Sequence, residues 1–175
     1  APGEVNQGAL QSVLELTNLY RSLADLTPVS LQSDTSEALQ RCALMMEANN
    51  TLNHSPPSTW RCYDDEGALM AGQSNLAGSD AIDAMGMYMV DPGNQSTMGH
   101  RRWLMSPGLE TIGVGSTQSY SCMQVLHLNR SPGWTAFPPP GPFPLQLTQD
   151  RWRRSVDQTG WTIQYDGLRL SNPQA

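Results

Sequence analysis

Two histidines mark the stretch of the sequence whose residue types are best suited to chemistry. His54 follows a helical pattern that fades at residues 49–50, and His100 follows the turn-rich run 91–99. The two are not four residues apart on one helix, as in helical zinc motifs, so only the tertiary fold can bring them together. Two neutral imidazoles supply two nitrogen ligands, whereas hydrolytic zinc sites use three protein ligands and an open position for water.

Three interpretations of the histidine pair are open on the residues alone. The side chains can anchor loops by hydrogen-bonding backbone carbonyls, they can bind a metal with modest affinity, or they can belong to a catalytic centre. A hydrolase would also need a base within about 3 Å of the attacking water, and Glu66 is the candidate in the same region. Since the acid/base set is incomplete, we assign no catalytic residue.

Composition and charge narrow the classes of function. The chain has 175 residues, enough for one domain with a buried core, and its net charge is −6. This charge disfavours a nucleic-acid or membrane-surface binder, because both functions favour a basic face. No apolar run approaches the roughly 20 residues of a membrane span. The start APGEVNQG, without methionine, is typical of a processed chain and predicts a secreted, extracellular protein.

Helices are predicted in the first two thirds of the chain from the spacing of apolar residues. The second of them is predicted to begin at a capping box, in which Asp34 caps the N-terminus and Glu37 reaches back. Residues 50–79 are expected to be mostly irregular, because proline, glycine and serine punctuate them. The predicted helices cover residues 7–25, 34–49, 80–90 and 99–105.

Strand patterns dominate the rest of the chain. Residues 111–115 and 120–128 are strand-like and separated by a short polar turn, which predicts an antiparallel hairpin containing His127. Helices followed by a hairpin indicate an α+β fold in which the helices cover an antiparallel sheet. The proline-rich run at 132–144 must be extended or polyproline-like. Further β-like pieces are predicted at residues 145–147, 160–165 and 168–170.

We divide the chain into a domain over residues 1–131 and a Pro-rich, β-containing C-terminal extension over residues 132–175. Within the first segment, Asn75 is expected to fix its loop through hydrogen bonds from its side chain to the backbone. Arg101 and Arg102, beside His100, are expected to pair with Asp91 or Glu110.

The three cysteines, Cys42, Cys62 and Cys122, allow one disulfide and one free thiol, or a fully reduced set. Cys42 lies near the end of a predicted helix and Cys62 in the loop that returns from it. A disulfide between them would tie that loop, and His54 with it, to the helix. We expect this pairing; the alternative, Cys62 with Cys122, would tie the loop to the sheet.

Several short motifs, in their order along the chain, resemble the CAP superfamily of cysteine-rich secretory, antigen and pathogenesis-related proteins, in particular its bacterial-type secreted branch. The motifs span roughly residues 10–128, and they are LNHSPPSTW, GQSNLA, MYMVDPGN, GHRRWLM and ETIGVGS. The resemblance implies an α-β-α sandwich. It also implies a central cleft with two histidines and two acidic residues that hold a divalent metal such as zinc.

The family pattern transfers to this chain with one departure. His54 and His100 match the two histidines, and Asp91 matches one of the acidic residues. The other acidic residue belongs to a G-E-N motif, where this chain has GQSNLA. Gln73 or Ser74 therefore takes its place, and neither is acidic. Asp91 is expected either to be the third metal ligand or to orient a histidine.

The resemblance implies a secreted module whose cleft binds a small-molecule, lipid or peptide ligand or an extracellular protein. A divalent metal, zinc or another, is the cofactor it implies, with His54, His100 and Asp91 as ligands. The missing acidic residue favours a non-catalytic cleft over the alternative of a metal-dependent hydrolase acting on peptides or cell-wall material. The predicted cleft residues are His54, Gln73, Ser74, Asp91 and His100.

A third hypothesis is an extracellular adhesion or structural module. In that case the proline run of the extension and its exposed aromatic side chains would make the contacts with a partner. The aromatic residues expected to be exposed are Trp134, Phe137, Trp152 and Trp161.

Overall fold

The computed structural model describes residues 2–126 and 132–166. His127, the end of the second predicted hairpin strand and the predicted strand at 168–170 lie outside the described residues. The helices are α1 (Gln7–Leu23), α2 (Ser36–Asn49), α3 (Asp65–Gly72), α4 (Ala81–Val90), α5 (Gly99–Leu104) and α6 (Val156–Thr159), with a 3-10 turn at Leu145–Thr148. The strands are β1 (Ser30–Leu31), β2 (Ser74–Ala77), β3 (Thr111–Ser116), β4 (Ser121–Gln124), β5 (Gly133–Phe137) and β6 (Thr162–Asp166).

A four-stranded sheet with the order β1-β3-β4-β2 forms the middle layer. The predicted hairpin is confirmed, since β3 and β4 pair in antiparallel orientation, and β2 joins β4 in the same way. The short β1 adds to the other edge in parallel with β3. The strand β2 is therefore an edge strand, and the cleft described below lies at its N-terminal end.

Helices cover both faces of this sheet. The helices α2 and α3 pack on one face, where Leu39, Cys42 and Met46 recur at helical spacing and are fully buried with Leu76 and Cys122 of the strands. The other face carries the larger core, built from the apolar sides of α1, α4 and α5. The α-β-α sandwich expected from the motifs is confirmed.

Two glycines of β3 let α2 approach the sheet closely. Gly113 and Gly115 point toward α2, while Ile112 and Val114 alternate to the opposite core. A Cβ at Gly115 would overlap the backbone carbonyl of Leu39 in α2. The glycines of the ETIGVGS motif are thus required by backbone packing and have no direct part in a site.

The C-terminal extension packs on the main core. Its strands β5 and β6 form a separate two-stranded antiparallel sheet, and Phe137 and Val156 are buried in the core that α1 and α4 share. Phe137 is only 1 % exposed, so the expectation that this aromatic side chain is free for a partner is wrong. The division of the chain at residue 132 stays a prediction.

The buried Arg101 joins this extension to α4 and α5. Its guanidinium donates hydrogen bonds to the carbonyls of Met89 (2.6 Å), Val90 (3.2 Å) and Gly160 (2.8 Å). Burial lowers the pKa of Arg101 to about 10, although the negative charge of Asp91 acts to raise it. For Arg101, the expected ion pair with Asp91 or Glu110 is replaced by these carbonyl contacts, because the C-terminal end of α4 leaves unpaired carbonyls beside the side chain.

Two local predictions were wrong and a third was incomplete. Residues 145–147, predicted to be β-like, belong to the 3-10 turn at Leu145–Thr148. The capping box predicted for the second helix is also not formed. The helix α2 begins at Ser36 with Thr35 at the N-cap position, and no side chain among the described residues caps it. Glu37 instead forms an ion pair with Arg41 one turn along, at 2.5 Å. The segment expected to be irregular also contains α3 and β2; Asp64 caps α3 by accepting from the backbone N–H of Gly67 (2.9 Å).

Among residues 2–126 and 132–166, no helix is both long and apolar enough to cross a membrane.

Candidate functional site

A cleft of about 290 Å³ lies beside the edge strand β2 and contains both predicted histidines. The loop between α2 and α3 supplies one wall, and α5 with the turn before it supplies the other. The fold therefore brings together two residues that are 46 positions apart in the numbering, as the motifs implied. The cleft is lined by His54, Gly72, Ser74, Asn75, Asn94, Gly99, His100, Trp103 and Leu126.

The backbone of α3 fixes the orientation of His54. Its Nδ1 lies 2.9 Å from the carbonyl oxygen of Ala71. A carbonyl oxygen only accepts hydrogen bonds, so Nδ1 carries the proton and donates it. The remaining nitrogen, Nε2, is left with a lone pair on a side chain that lines the cleft.

A buried carboxylate fixes the orientation of His100 in the same way. Asp91 ends α4 in a left-handed conformation (φ 56°) and is 1 % exposed. Its Oδ1 lies 2.7 Å from Nδ1 of His100, and its Oδ2 accepts from the backbone N–H of Arg101 at 3.4 Å. Asn94 donates from Nδ2 to both oxygens (3.3 and 3.4 Å). Of the two expected roles for Asp91, this geometry matches the one that orients a histidine.

Asn75 and Tyr88 support His100 from the side of the sheet. The Nδ2 of Asn75 donates to the backbone carbonyl of His100 (3.1 Å), so this side chain bonds backbone, but it joins β2 to α5 and not, as expected, the two sides of its own loop. The hydroxyl of Tyr88 donates to the carbonyl of Asn75 (3.1 Å), and its ring lies 5.3 Å from the imidazole of His100. Burial raises the pKa of the Tyr88 hydroxyl, so it remains a donor.

Of the two candidates for the place of the missing acidic residue, Ser74 lines the cleft and Gln73 does not. Ser74 is the first residue of β2 and lines the cleft, and its buried Oγ has no hydrogen-bond partner among the described residues. Gln73 precedes the strand and accepts a hydrogen bond from Nε2 of Gln124 (2.9 Å). The cleft thus presents a small hydroxyl that has no partner in the described part of the chain.

The candidate base, Glu66, lies away from the cleft. It is in the first turn of α3, its side chain is 72 % exposed, and it pairs with Arg41 at 3.1 Å. In the part of the chain that the structure describes, no group of three or more histidine, cysteine or acidic side chains is placed to hold a metal. The donor set of the cleft is therefore two imidazoles, which does not match the three-ligand set of hydrolytic zinc.

The disulfide joins Cys42 to Cys122, so the predicted pair of Cys42 with Cys62 is wrong. Cys42 belongs to the apolar stripe of α2 that faces the sheet, and Cys122 lies directly below it on β4. Cys62 is an exposed free thiol in the loop. That loop is held instead by the side chain of Asn49, which bonds the backbone of Arg61 in both directions (3.0 and 3.2 Å).

Comparison with solved structures identifies a similar fold. An extracellular protein containing a SCP domain from Bacillus anthracis strain Ames superposes with a TM-score of 0.52 at 19 % sequence identity. The match covers 69 % of this chain and 43 % of the other, so the chain spans less than half of that protein. At this identity the likeness concerns the fold alone.

Sequence comparison identifies the family. No curated protein shows significant similarity to the chain. The model of the cysteine-rich secretory protein family, CAP, matches residues 14–128, which include both histidines, Asp91, and the four-stranded sheet. The chain therefore belongs to the CAP family.

Proposed function

We propose that this chain is a secreted CAP module whose cleft binds a small ligand, with a divalent cation such as Zn²⁺ held by Nε2 of His54 and Nε2 of His100. The observation that carries the proposal is that both imidazoles use Nδ1 for an internal hydrogen bond, to Ala71 and to Asp91. Metal-binding histidines commonly use their second nitrogen in this way, because the bond fixes the ring and leaves the other nitrogen free.

The same geometry supports binding without catalysis. Asp91 is buried and engaged with His100, Asn94 and the backbone, so it is not free to be a third ligand. Glu66 is bound by Arg41 on the surface and is not available as a base in the cleft. When bound, a cation would supply positive charge to hold an anionic or polar group of the ligand, with water completing its coordination.

Size and context indicate what kind of ligand fits. A cleft of about 290 Å³ is at the small end of the range for ligand pockets, so it fits a polar head group or one peptide side chain. Secretion is supported by the family, by the disulfide, which is typical of oxidising compartments, and by the extracellular protein with a similar fold.

Zinc titration calorimetry on chelator-treated protein tests the proposal. The exposed thiol of Cys62 is a competing zinc ligand, so the reference protein carries Cys62→Ser. We expect saturable binding with micromolar affinity in this reference and at least a tenfold loss after His54→Ala and His100→Ala are added. Equal affinity with and without the two imidazoles, or no heat in the reference, would refute the cation site.

A second titration separates the ligand from the cation. Small carboxylates and phosphates, added to the zinc-loaded reference protein, are expected to bind in the cleft, and the double histidine variant is expected not to bind them. If an anion binds equally well to both proteins, the cation does not hold it and the proposed role of the cleft is wrong.

A further inference from the structure

A second depression, which we call the hydroxyl–amide groove, shares no lining residue with the histidine cleft. It has a volume of about 520 Å³. One wall is the loop at residues 95–98 together with Arg102, and the other is the segment at residues 159–165 of the C-terminal extension. The groove therefore exists only because the extension packs beside the CAP fold.

The side chains of this groove are mainly neutral hydrogen-bonding groups. Gln95 and Ser96 are exposed on one wall, and Thr162 and Gln164 lie on the other. Arg102 is the one charged side chain among the described residues that line it. A ligand with several hydroxyl groups matches this lining, whereas a polyanion would need several basic contacts.

The outward face of β6 adds an aromatic surface along the groove. Residues alternate in a strand, so Trp161, Ile163 and Tyr165 share this face. Trp161 and Ile163 are 71 % and 78 % exposed. Trp134 lies directly opposite Tyr165 on β5, with the two rings 4.7 Å apart. Large apolar side chains exposed together commonly mark a binding surface.

The inward face of β6 holds this surface in place. Gln164 donates to the backbone carbonyl of Arg102 (3.2 Å), and Asp166 accepts from the hydroxyl of Ser106 (2.6 Å). The indole Nε1 of Trp161 itself donates to Asp157 at 3.3 Å, which orients the ring although it is mostly exposed. A preorganised aromatic ring loses less entropy on binding than a mobile one.

We propose that this groove and the aromatic face beside it bind a neutral oligosaccharide. A pyranose ring is amphipathic: its C–H face packs on an aromatic ring, and its hydroxyl rim requires donors and acceptors. Trp161 supplies the first surface and the groove supplies the second, side by side. Trp161 and Tyr165 are four positions apart along the strand, which is about 13 Å, so the surface is long enough for more than one sugar unit.

The test uses the full chain and three soluble probes, namely chitohexaose, cellohexaose and mannohexaose, titrated by calorimetry. We expect at least one of them to bind saturably, and Trp161→Ala to weaken that binding by about tenfold or more. Trp152→Ala is the matched control, because this tryptophan is 47 % exposed but packs against Arg151 and Arg154 away from the groove. It should leave the affinity unchanged.

Several outcomes would overturn the proposal. They are no binding of any of the three probes, the same affinity in Trp161→Ala, or an equal loss in Trp152→Ala. The protein could instead bind phosphatidylcholine vesicles or an unstructured peptide and none of the sugars. If Trp161→Ala abolishes that binding, the surface belongs to another ligand. The variant His54→Ala/His100→Ala should bind the sugar normally, so failure of the cation site does not affect this result.

Discussion

Replacing Arg101 by methionine tests whether the C-terminal extension is an integral part of the CAP fold. Methionine keeps much of the apolar stem but removes every donor of the guanidinium. The carbonyls of Met89, Val90 and Gly160, bonded at 2.6 to 3.2 Å, would then lose their partner in a buried place. An unsatisfied buried acceptor costs about 1–3 kcal/mol.

The net loss of stability is smaller than the sum of these terms. Burial of the guanidinium is itself unfavourable, as its pKa, lowered to about 10, indicates, and the substitution removes that penalty. Contact of the guanidinium with the ring of Phe137 (5.1 Å) offsets part of it in the native protein. We therefore expect Arg101→Met to lower the free energy of unfolding by about 3 kcal/mol.

Urea unfolding followed by tryptophan fluorescence measures this change. Arg102→Met is the matched control, because Arg102 is the next residue of the same helix and carries the same charge on the surface. It should change stability by less than about 0.5 kcal/mol. A loss below about 1 kcal/mol in Arg101→Met would show that water replaces the donors, and the argument that this side chain holds the extension would fail.

Three further changes test the site and its scaffold. Asp91→Asn should weaken zinc binding by about 10–100-fold in calorimetry with little change in circular dichroism, because His100 loses its orienting charge; an unchanged affinity would contradict that role. Gly115→Ala should destabilise the protein by about 3 kcal/mol in urea unfolding, since its Cβ meets the Leu39 carbonyl, and a neutral effect would mean that α2 can shift. Cys122→Ala should cost about 3–4 kcal/mol, since the disulfide closes a separation of 80 residues, and reducing agent should then have no added effect on the melting temperature.

Local sequence patterns predicted much of the fold correctly. Apolar spacing located α1, α4 and α5 to within two residues at their ends, because a one-sided stripe is what burial against a sheet requires. The hairpin of β3 and β4 followed from alternation and a polar turn. The helix α3 was missed because it is short, although the acidic run at residues 64–66 marks its N-terminus.

The pairing of the cysteines could not be predicted from such local patterns. In the structure Cys42 lies in the buried stripe of α2, so it faces the sheet and not the loop with Cys62. Its partner, Cys122, is 80 residues away, and only the pairing of strands beneath α2 brings the two together. Proximity along the chain favoured the wrong cysteine, since sequence separation says little about distance in a folded core.

Local patterns were also insufficient to predict which single side chains line the cleft. The motifs identified His54 and His100 but left open whether Gln73 or Ser74 replaces the acidic residue. In the structure Ser74, the first residue of β2, lines the cleft, whereas Gln73 precedes the strand and bonds Gln124. A shift of one residue would have exchanged which side chain reaches the cleft, because neighbours in a strand point to opposite faces.

Asp91 and Arg101 connect the histidine cleft to the C-terminal extension through shared hydrogen bonds. Asp91 accepts from the ring of His100 and from the backbone N–H of Arg101, so one carboxylate sets both the imidazole and the start of α5. Arg101 in turn donates to the end of α4 and to Gly160 of the extension. Loss of the extension would therefore leave the Arg101 guanidinium without part of its contacts, one residue from a histidine of the cleft. On this argument Arg101→Met should weaken zinc binding as well as stability, whereas Trp161→Ala, which leaves these bonds intact, should weaken neither.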